Sequence, residues 1–374
     1  MLSDASDGRI EIHILNAGVA CGESIVIRLP HGGYGVVDCY ARSLRNENTN
    51  PTVEFLQRRN VDTIEFLCLT HPHSDHYRGM SQILRKFRVL HFWRFGGLSA
   101  GELRWLAGYK RLDAEQSRCR GAISDAQEFQ DILSLARKLR KGPGGLRVTL
   151  VQSKQQLYPC PVDASAACQI WALAPCGNSI SDYQERLNSC FSSNRVLLKT
   201  LPHRFHNTVS VALLVRFGQT CVILGGDVEK AGWGHVAEEF NADALAAHVV
   251  KVSHHGSVNG YTEHLWEHFS SGRRTVAVVT PYHSRGLPQR EALEHIGKHV
   301  DSILTTFTPT EPRSVSASRG PYPSPLESRI ALRQLLQART ATGDRPFGRC
   351  TLVYDGFGGC LDVELKGVAA KVLR

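Results

Sequence analysis

Hydrophobic and polar residues alternate, or form short apolar runs, along most of the chain. Residues 10–15 alternate as a half-buried strand does, whereas residues 220–224 form a mainly apolar run, as a fully buried strand does. Strands are predicted over residues 10–15, 25–29, 34–37, 63–69, 89–92, 146–151, 168–173, 209–217, 220–224, 247–253, 276–280, 302–307, 349–354 and 360–365. Helices are predicted over residues 52–60, 80–87, 102–112, 126–140, 291–300 and 328–336, so the pattern indicates an α/β protein.

Four potential metal ligands lie together directly after the predicted strand at residues 63–69. His71 and His73 alternate along the chain, so both imidazoles can face one side, while Asp75 and His76 follow a turn and can face a second point nearby. Imidazole and carboxylate ligands suit zinc, manganese or iron, and the segment contains no cysteine. The spacing therefore predicts that this short segment contributes ligands to two adjacent divalent ions.

Asp227 is placed to complete such a centre from the second half of the chain. It follows the predicted strand at residues 220–224 and a pair of glycines. A carboxylate has two oxygens, so one aspartate at this strand end can contact two ions at once.

The His-x-His-x-Asp-His pattern of residues 71–76 resembles the metallo-β-lactamase superfamily, and the other motifs follow in the superfamily's order from residue 10 to about residue 305. The resemblance implies that Asp38, at the end of a predicted strand, orients the ligand histidines from behind. It also implies that Asp227 bridges the two ions. His206 stands close to the position of a further superfamily ligand and is the candidate to complete the first ligand set with His71 and His73.

The adjacent residues His254 and His255 match the superfamily's last ligand motif. Only one of them can easily contact an ion, and we assign His254, the nearer to the predicted strand, to the second ion with Asp75 and His76. His255 is then expected to face the substrate, where it contacts a developing negative charge or donates a proton. Asp75 is assigned a catalytic role as well, because a carboxylate ligand there can orient the nucleophilic water.

Within the superfamily, the motifs are most similar to the hydrolase domain of competence-type (ComEC-like) DNA-uptake proteins and their soluble relatives. The matching segments are residues 22–24, 207–210, 225–227 and 251–257. The chain departs from those proteins at Cys39 and Tyr40, near which relatives often have a glycine, and at Leu287, where they often have histidine. Their membrane channel has no counterpart in this sequence, so the resemblance implies hydrolysis and does not imply DNA transport.

The resemblance implies a four-layer αββα sandwich of the metallo-β-lactamase type, with the metal ligands gathered at one edge of two mixed sheets. We predict a single hydrolase domain of this type over residues 1–374, with an elaboration at about residues 93–200. A C-terminal extension is predicted from about residue 308, beginning with a mobile loop rich in serine, proline, threonine and arginine.

The net charge of the chain bears on its expected binding partner, and its cysteines bear on its expected cellular compartment. The formal net charge of +9 favours a polyanionic partner such as nucleic acid, and a basic surface without such a partner is the alternative. Cys39, Cys68 and Cys221 lie in or beside strand-like runs, as reduced core residues do. With no signal sequence and no run of about 18 apolar residues, we expect a cytoplasmic protein without a membrane segment.

Together these features predict a hydrolase that uses water activated by two divalent ions, with zinc preferred and manganese as the alternative. The basic charge and the DNA-uptake motifs favour a phosphodiesterase or nuclease. One alternative is a hydrolase of small molecules such as cyclic nucleotides, lactones, thioesters or lactams. The other is a non-catalytic metal-binding module, against which the nearly complete ligand set argues. The pattern does not predict the oligomeric state.

Overall fold

The computed structural model describes residues 8–96, 106–108, 120–143, 145–158, 168–190, 201–308, 346–367 and 369–373. The strands in these residues, numbered along the chain, are β1 (Arg9–Asn16), β2 (Ser24–Arg28), β3 (Tyr34–Val37), β4 (Thr63–Leu69), β5 (Arg88–Phe95), β6 (Arg147–Val151), β7 (Gln156–Tyr158), β8 (Cys168–Ala174), β9 (Ala212–Phe217), β10 (Thr220–Leu224), β11 (Val249–Lys251), β12 (Val276–Val279), β13 (Ser302–Thr305), β14 (Gly348–Asp355), β15 (Cys360–Lys366) and β16 (Ala370–Leu373).

The α-helices whose bounds are described are α1 (Pro51–Gln57), α2 (Ser74–Tyr77), α3 (Met80–Lys86), α4 (Arg120–Lys141), α5 (Gly177–Asn188), α6 (Lys230–Glu239), α7 (Ala242–Leu245), α8 (Glu263–Ser270) and α9 (Arg290–Ile296). None of the described helices has the length and apolar character needed to cross a bilayer.

The strands form two mixed sheets of eight strands each. The first has the order β15-β14-β1-β2-β3-β4-β5-β6, and the second has the order β16-β13-β12-β11-β10-β9-β8-β7. Strands β3 to β6 are parallel in the first sheet, and strands β10 to β13 are parallel in the second. Loops that leave the carboxyl ends of parallel strands share one edge of their sheet, which is where open α/β sheets place their sites.

The two sheets pack against each other and carry helices on their outer faces. One hydrophobic cluster joins side chains of the first sheet to one face of the second, for example Ile14 to Val222, and also includes residues of α1, α3 and α4. A second cluster packs the other face of the second sheet against α6, α8 and α9 through Trp233, Trp266 and Leu293. The predicted four-layer αββα arrangement is therefore confirmed.

The helix after the ligand loop is fixed by a buried carboxylate from α4. Glu128 accepts hydrogen bonds from the backbone N–H groups of Gly79 and Ser81, at 3.1 and 2.9 Å, and from the Ser81 hydroxyl at 2.8 Å. A helix leaves its first N–H groups without partners inside the helix, so this carboxylate satisfies donors at the start of α3. The elaboration that contains α4 thus holds the segment that carries the ligands.

Most predicted elements are present in the described residues, but several boundaries differ. Helix α4 begins at Arg120 rather than at residue 126, and α9 ends at Ile296 rather than at residue 300. The strand predicted over residues 247–253 is confined to β11, because the chain turns at Ser253–Gly256, where two residues have left-handed backbones. The strand predicted over residues 209–217 begins only at Ala212, because residues His203–Val209 form a 3-10 helix. Sequence patterns did not indicate β7, β16, or helices α2 and α6 to α8. The predicted helix at residues 328–336 and most of residues 102–112 and 308–325 lie outside the described residues.

Candidate metal centre

The ligand loop follows β4 and brings four buried side chains to the edge of the first sheet. His73 has extended backbone geometry, and α2 begins directly after it, so the chain turns between His73 and Asp75. His71 and His76 are fully buried, and His73 and Asp75 nearly so. The alternation and turn that the sequence predicted therefore place the four side chains at one sheet edge, facing the second sheet.

The donor atoms of His76, His255 and Asp227 lie within 4.8 Å of one another, and Asp75 contacts both imidazoles. We call these four residues the second ligand set. Asp75 Oδ2 lies 3.5 Å from His76 Nε2 and 3.0 Å from His255 Nε2. The two imidazole Nε2 atoms are 3.3 Å apart, and they lie 3.3 and 3.7 Å from Asp227 Oδ1. Two ligands of a tetrahedral ion with bonds of about 2.1 Å are separated by about 3.4 Å, so these spacings suit a small divalent cation.

His71, His73 and Asp227 make up the first ligand set. His71 Nε2 lies 2.8 Å from His73 Nδ1 and 3.7 Å from Asp227 Oδ2. All three residues offer donor atoms within 4.8 Å of one another. Asp227 therefore presents one carboxylate oxygen to each ligand set, as a bridging carboxylate does.

Asp227 can occupy this place because of the glycine that precedes it. Gly226 has a φ of +49°, and a Cβ there would lie 2.6 Å from the backbone oxygen of Val211. The backbone N–H of Asp227 then donates to Ser210 Oγ at 2.9 Å, which fixes the start of the turn. A side chain at residue 226 would thus strain the turn and clash with the neighbouring strand connection.

His206 lies beside the first ligand set, with its ring centroid 5.3 Å from that of His73. Its Nδ1 is 2.8 Å from the hydroxyl of Tyr183, a fully buried residue of α5. His206 is not among the residues whose donor atoms meet within 4.8 Å, so the structure brings it near the first set without including it. Tyr183 was not indicated by the sequence, because its helix is remote from the motif.

Asp38 contacts a histidine of the second ligand set directly and is linked to a histidine of the first set through Thr70. Its Oδ2 lies 2.7 Å from His76 Nδ1 and accepts a hydrogen bond from Thr70 Oγ1 at 2.7 Å. Thr70 Oγ1 is in turn 3.0 Å from His71 Nδ1. A carboxylate on one ring nitrogen leaves the lone pair on the other nitrogen facing an ion. The structure thus places Asp38 where the sequence predicted an orienting group.

The metal-facing histidine of the adjacent pair is His255, and not His254 as we assigned from the sequence. His255 is buried in the second ligand set, and its Nδ1 donates to the backbone oxygen of Thr280 at 2.8 Å, which leaves Nε2 to face the other donors. His254 instead lies 3.4 Å from Glu229 Oε1 and 3.4 Å from Asn207 Nδ2. Both histidines have left-handed backbones, with φ of 47° for His254 and 52° for His255. With this backbone, the His254 side chain lies outside the second ligand set and the His255 side chain lies inside it.

The pKa values of the ligand residues indicate that carboxylates outnumber positive charges around the second ligand set. Burial alone would lower the pKa of His76, but the carboxylates of Asp227, Asp38 and Asp75 outweigh it and raise that pKa well above its usual value. Burial opposes ionisation of Asp227 too, yet the neighbouring imidazoles hold its pKa well below the usual range. By contrast, burial keeps the pKa of His71 far below normal, so this imidazole is a neutral potential ligand.

One oxygen of the Asp227 carboxylate also indicates that a positive charge is missing from the centre. Within the described part of the chain, Asp227 Oδ1 is buried and has no well-aligned hydrogen-bond donor, although His76 Nε2 lies 3.3 Å from it. Leaving a carboxylate oxygen in this state is costly unless a cation contacts it. The donor types, their spacing and this oxygen together fit a pair of divalent ions.

Comparisons with known proteins give distant similarities only. No protein-family model and no curated protein matches the chain. Among solved structures, the metallo-β-lactamase fold protein YhfI from Bacillus subtilis is 11% identical and aligns over 78% of this chain and 94% of its own, with a TM-score of 0.39. Zn²⁺-bound PqqB from Methylobacterium extorquens is 9% identical over 78% and 95% of the two chains, with a TM-score of 0.38.

A variant of CmlA beta-hydroxylase is 14% identical over 64% of this chain, with a TM-score of 0.31. This chain spans 35% of that protein's length.

Proposed function

We propose that this protein is a hydrolase of the metallo-β-lactamase type that uses two divalent ions, and that its substrates are phosphodiesters. The observation that carries the proposal is the meeting of two ligand sets at Asp227, whose two oxygens face different donors. We expect zinc at both positions, because imidazole and carboxylate are its usual non-thiol ligands.

Neighbouring side chains hold the ligand imidazoles of the centre in place before a substrate binds. When bound, two adjacent divalent ions supply a water of lowered pKa and positive charge for the attacking and leaving oxygens of a displacement. Asp38 and Thr280 hold His76 and His255 with their Nε2 atoms directed inward. Asp75, between those two imidazoles, has a carboxylate placed to accept a hydrogen bond from a water at the centre.

The rim of the centre offers donors to an anionic substrate. The ring of Tyr282 packs edge to face on His255, with centroids 5.5 Å apart. Burial and the charge of Asp75 raise the pKa of the Tyr282 phenol, so its hydroxyl remains a hydrogen-bond donor at neutral pH. Arg285, which is exposed, lies within hydrogen-bonding reach of that phenol. A phosphodiester oxygen is an acceptor that suits both groups.

A second positive region supports a polymeric substrate. Exposed cations cluster at the end of α4 and the start of β6, and we call this group the basic cluster: Arg137, Lys138, Arg140, Lys141 and Arg147. No acidic residue occurs between residues 132 and 150. Ten residues of helix separate Glu128, which contacts the ligand loop's helix, from Lys138, a distance of about 15 Å. We propose that a substrate several nucleotides long contacts both the centre and the basic cluster.

The test combines metal analysis with a substrate screen. Purified protein should hold about two equivalents of transition metal, and a chelator should abolish its activity. The screen compares single-stranded DNA, duplex DNA, RNA, cyclic nucleotides and bis-p-nitrophenyl phosphate, with a lactam and a thioester included. Faster cleavage of longer oligonucleotides supports the proposal, whereas activity confined to the lactam or thioester contradicts it.

A further inference from the structure

Glu23 and Lys251 form a buried ion pair beside the second ligand set. Lys251 is fully buried at the end of β11, and Glu23, directly before β2, is nearly so. Lys251 Nζ contacts Glu23 Oε2, which also accepts a hydrogen bond from Thr280 Oγ1 at 3.2 Å. Thr280 also binds His255, a member of the second set. The ion pair is therefore connected to the centre through a shared partner.

The carboxylate of Glu23 also reaches the centre itself. One of its oxygens lies within 4.8 Å of donor atoms on His76, Asp227 and His255. Its main-chain N–H donates to the backbone oxygen of Asp75 at 2.9 Å, which fixes Glu23 against the ligand loop. Each Glu23 oxygen has a different environment, because Oε2 has two partners while Oε1 is buried without a hydrogen bond, as far as the described residues show.

This arrangement is unfavourable for an ion pair that serves packing alone. A buried carboxylate needs partners for both oxygens, and a structural pair would direct both toward the ammonium or other donors. Lys251 contacts Glu23, whereas the ionic contacts of Asp38, Asp75 and Asp227 are to histidines. Even with Lys251 and His76 both protonated, these four buried carboxylates leave an excess of two negative charges at the centre.

We propose that Glu23 is a further ligand of the ion at the second set, through Oε1, while Lys251 neutralises the charge on Oε2. The inference rests on the two-ion centre of the proposed function but not on the identity of the substrate. It gives the second ion three carboxylate ligands and two imidazoles, whereas the first set is mainly imidazole. The two positions thus differ in charge and in ligand number.

Metal binding by three variants distinguishes this role from a structural ion pair. Zinc is titrated against a competing chelator into the metal-stripped chain, for the wild type, Glu23→Gln, Lys251→Met and the double variant. We expect Glu23→Gln and the double variant to bind one zinc equivalent about tenfold or more weakly, because each lacks the carboxylate. Lys251→Met should bind zinc at least as tightly as the wild type, because it removes a cation and keeps the ligand.

A purely structural pair gives the opposite pattern. Each single variant would then leave a buried charge without its partner and weaken zinc binding alike, and the double variant would recover wild-type affinity. That result, or wild-type zinc affinity in folded Glu23→Gln, overturns the proposal. If Glu23→Gln does not fold, the double variant decides, because it leaves no unpaired charge.

Two further measurements complete the design. Glu11→Gln removes another partly buried carboxylate, one that contacts His13 and Arg28 and belongs to neither ligand set, and should retain wild-type zinc affinity. The visible spectrum of bound Co²⁺ responds to ligand number, and it should change in Glu23→Gln and remain unchanged in Glu11→Gln. A wild type that binds two zinc ions but cleaves no phosphodiester would contradict the proposed function and leave the role of Glu23 standing.

Discussion

Replacing Asp38 by asparagine tests how the ligand histidines are oriented. Asp38 has a left-handed backbone, with φ of 57°, which asparagine tolerates well, so the change adds little strain. The side chain keeps its shape but presents an amide where His76 Nδ1 now lies 2.7 Å from a carboxylate oxygen. If the NH₂ group faces His76, it repels the Nδ1–H tautomer, and the alternative tautomer points a hydrogen from Nε2 into the second ligand set. If the amide oxygen faces His76, the NH₂ group opposes the backbone N–H of Thr70, which now donates to Asp38 Oδ1 at 2.9 Å, so asparagine cannot reproduce both contacts.

The expected loss follows from the number of contacts. Removing a group that orients a metal ligand costs about 10- to 100-fold in metal affinity, or about 1.4 to 2.7 kcal/mol. We expect a loss of metal affinity in the upper part of this range, because Asp38 also accepts a hydrogen bond from the Thr70 hydroxyl. That hydroxyl contacts His71 of the first ligand set. Competition with a chelator measures the zinc affinity, and thermal unfolding of the metal-free chain checks the fold. Wild-type zinc affinity in the folded variant would refute the orienting role.

Three other predictions concern the ligands and the substrate. Asp75→Ala should abolish hydrolysis while nucleic-acid binding, measured by fluorescence anisotropy, stays near the wild-type value; full turnover would contradict the two-ion mechanism. His255→Ala should lose zinc from the second set, whereas His254→Ala should keep about two equivalents in elemental analysis, and equal losses would count against the assignment. Reversing the charge of Lys138 and Lys141 should weaken binding of long oligonucleotides, most strongly at low salt, and leave turnover of bis-p-nitrophenyl phosphate unchanged. Unchanged oligonucleotide binding would remove the basic cluster from the proposal.

Much of the centre could be predicted because its main motifs are short in sequence. In both main motifs, a buried strand followed by a turn determines where the side chains point, so the local sequence is enough to predict their positions. The two motifs are residues 71–76 and the strand and glycine pair that end at Asp227. The structure brings these residues together as the spacing indicated, and the layered α/β fold follows from the same strand patterns.

The parts that could not be predicted depend on backbone conformation or on distant contacts. The order of His254 and His255 depends on two successive left-handed residues, which periodicity does not show. The pairing of Glu23 with Lys251 joins residues separated by 228 positions, and only the packing of the two sheets brings them together. Tyr183 contacts His206 from α5, a helix that lies far in sequence from the ligand motifs at residues 71–76 and 225–227.

The division of the ligands between the two sheets has a consequence for how the fold holds together. His71, His73, Asp75 and His76 follow a strand of the first sheet, and Asp227 and His255 follow strands of the second. An ion bound by both groups is a non-covalent cross-link between the halves of the sandwich. Because a ligand that binds only the folded state stabilises it by mass action, the free concentration of such an ion would set how much the centre stabilises the packing of the two sheets. Metal binding at the centre would therefore contribute to the stability of the folded chain as well as to its chemistry.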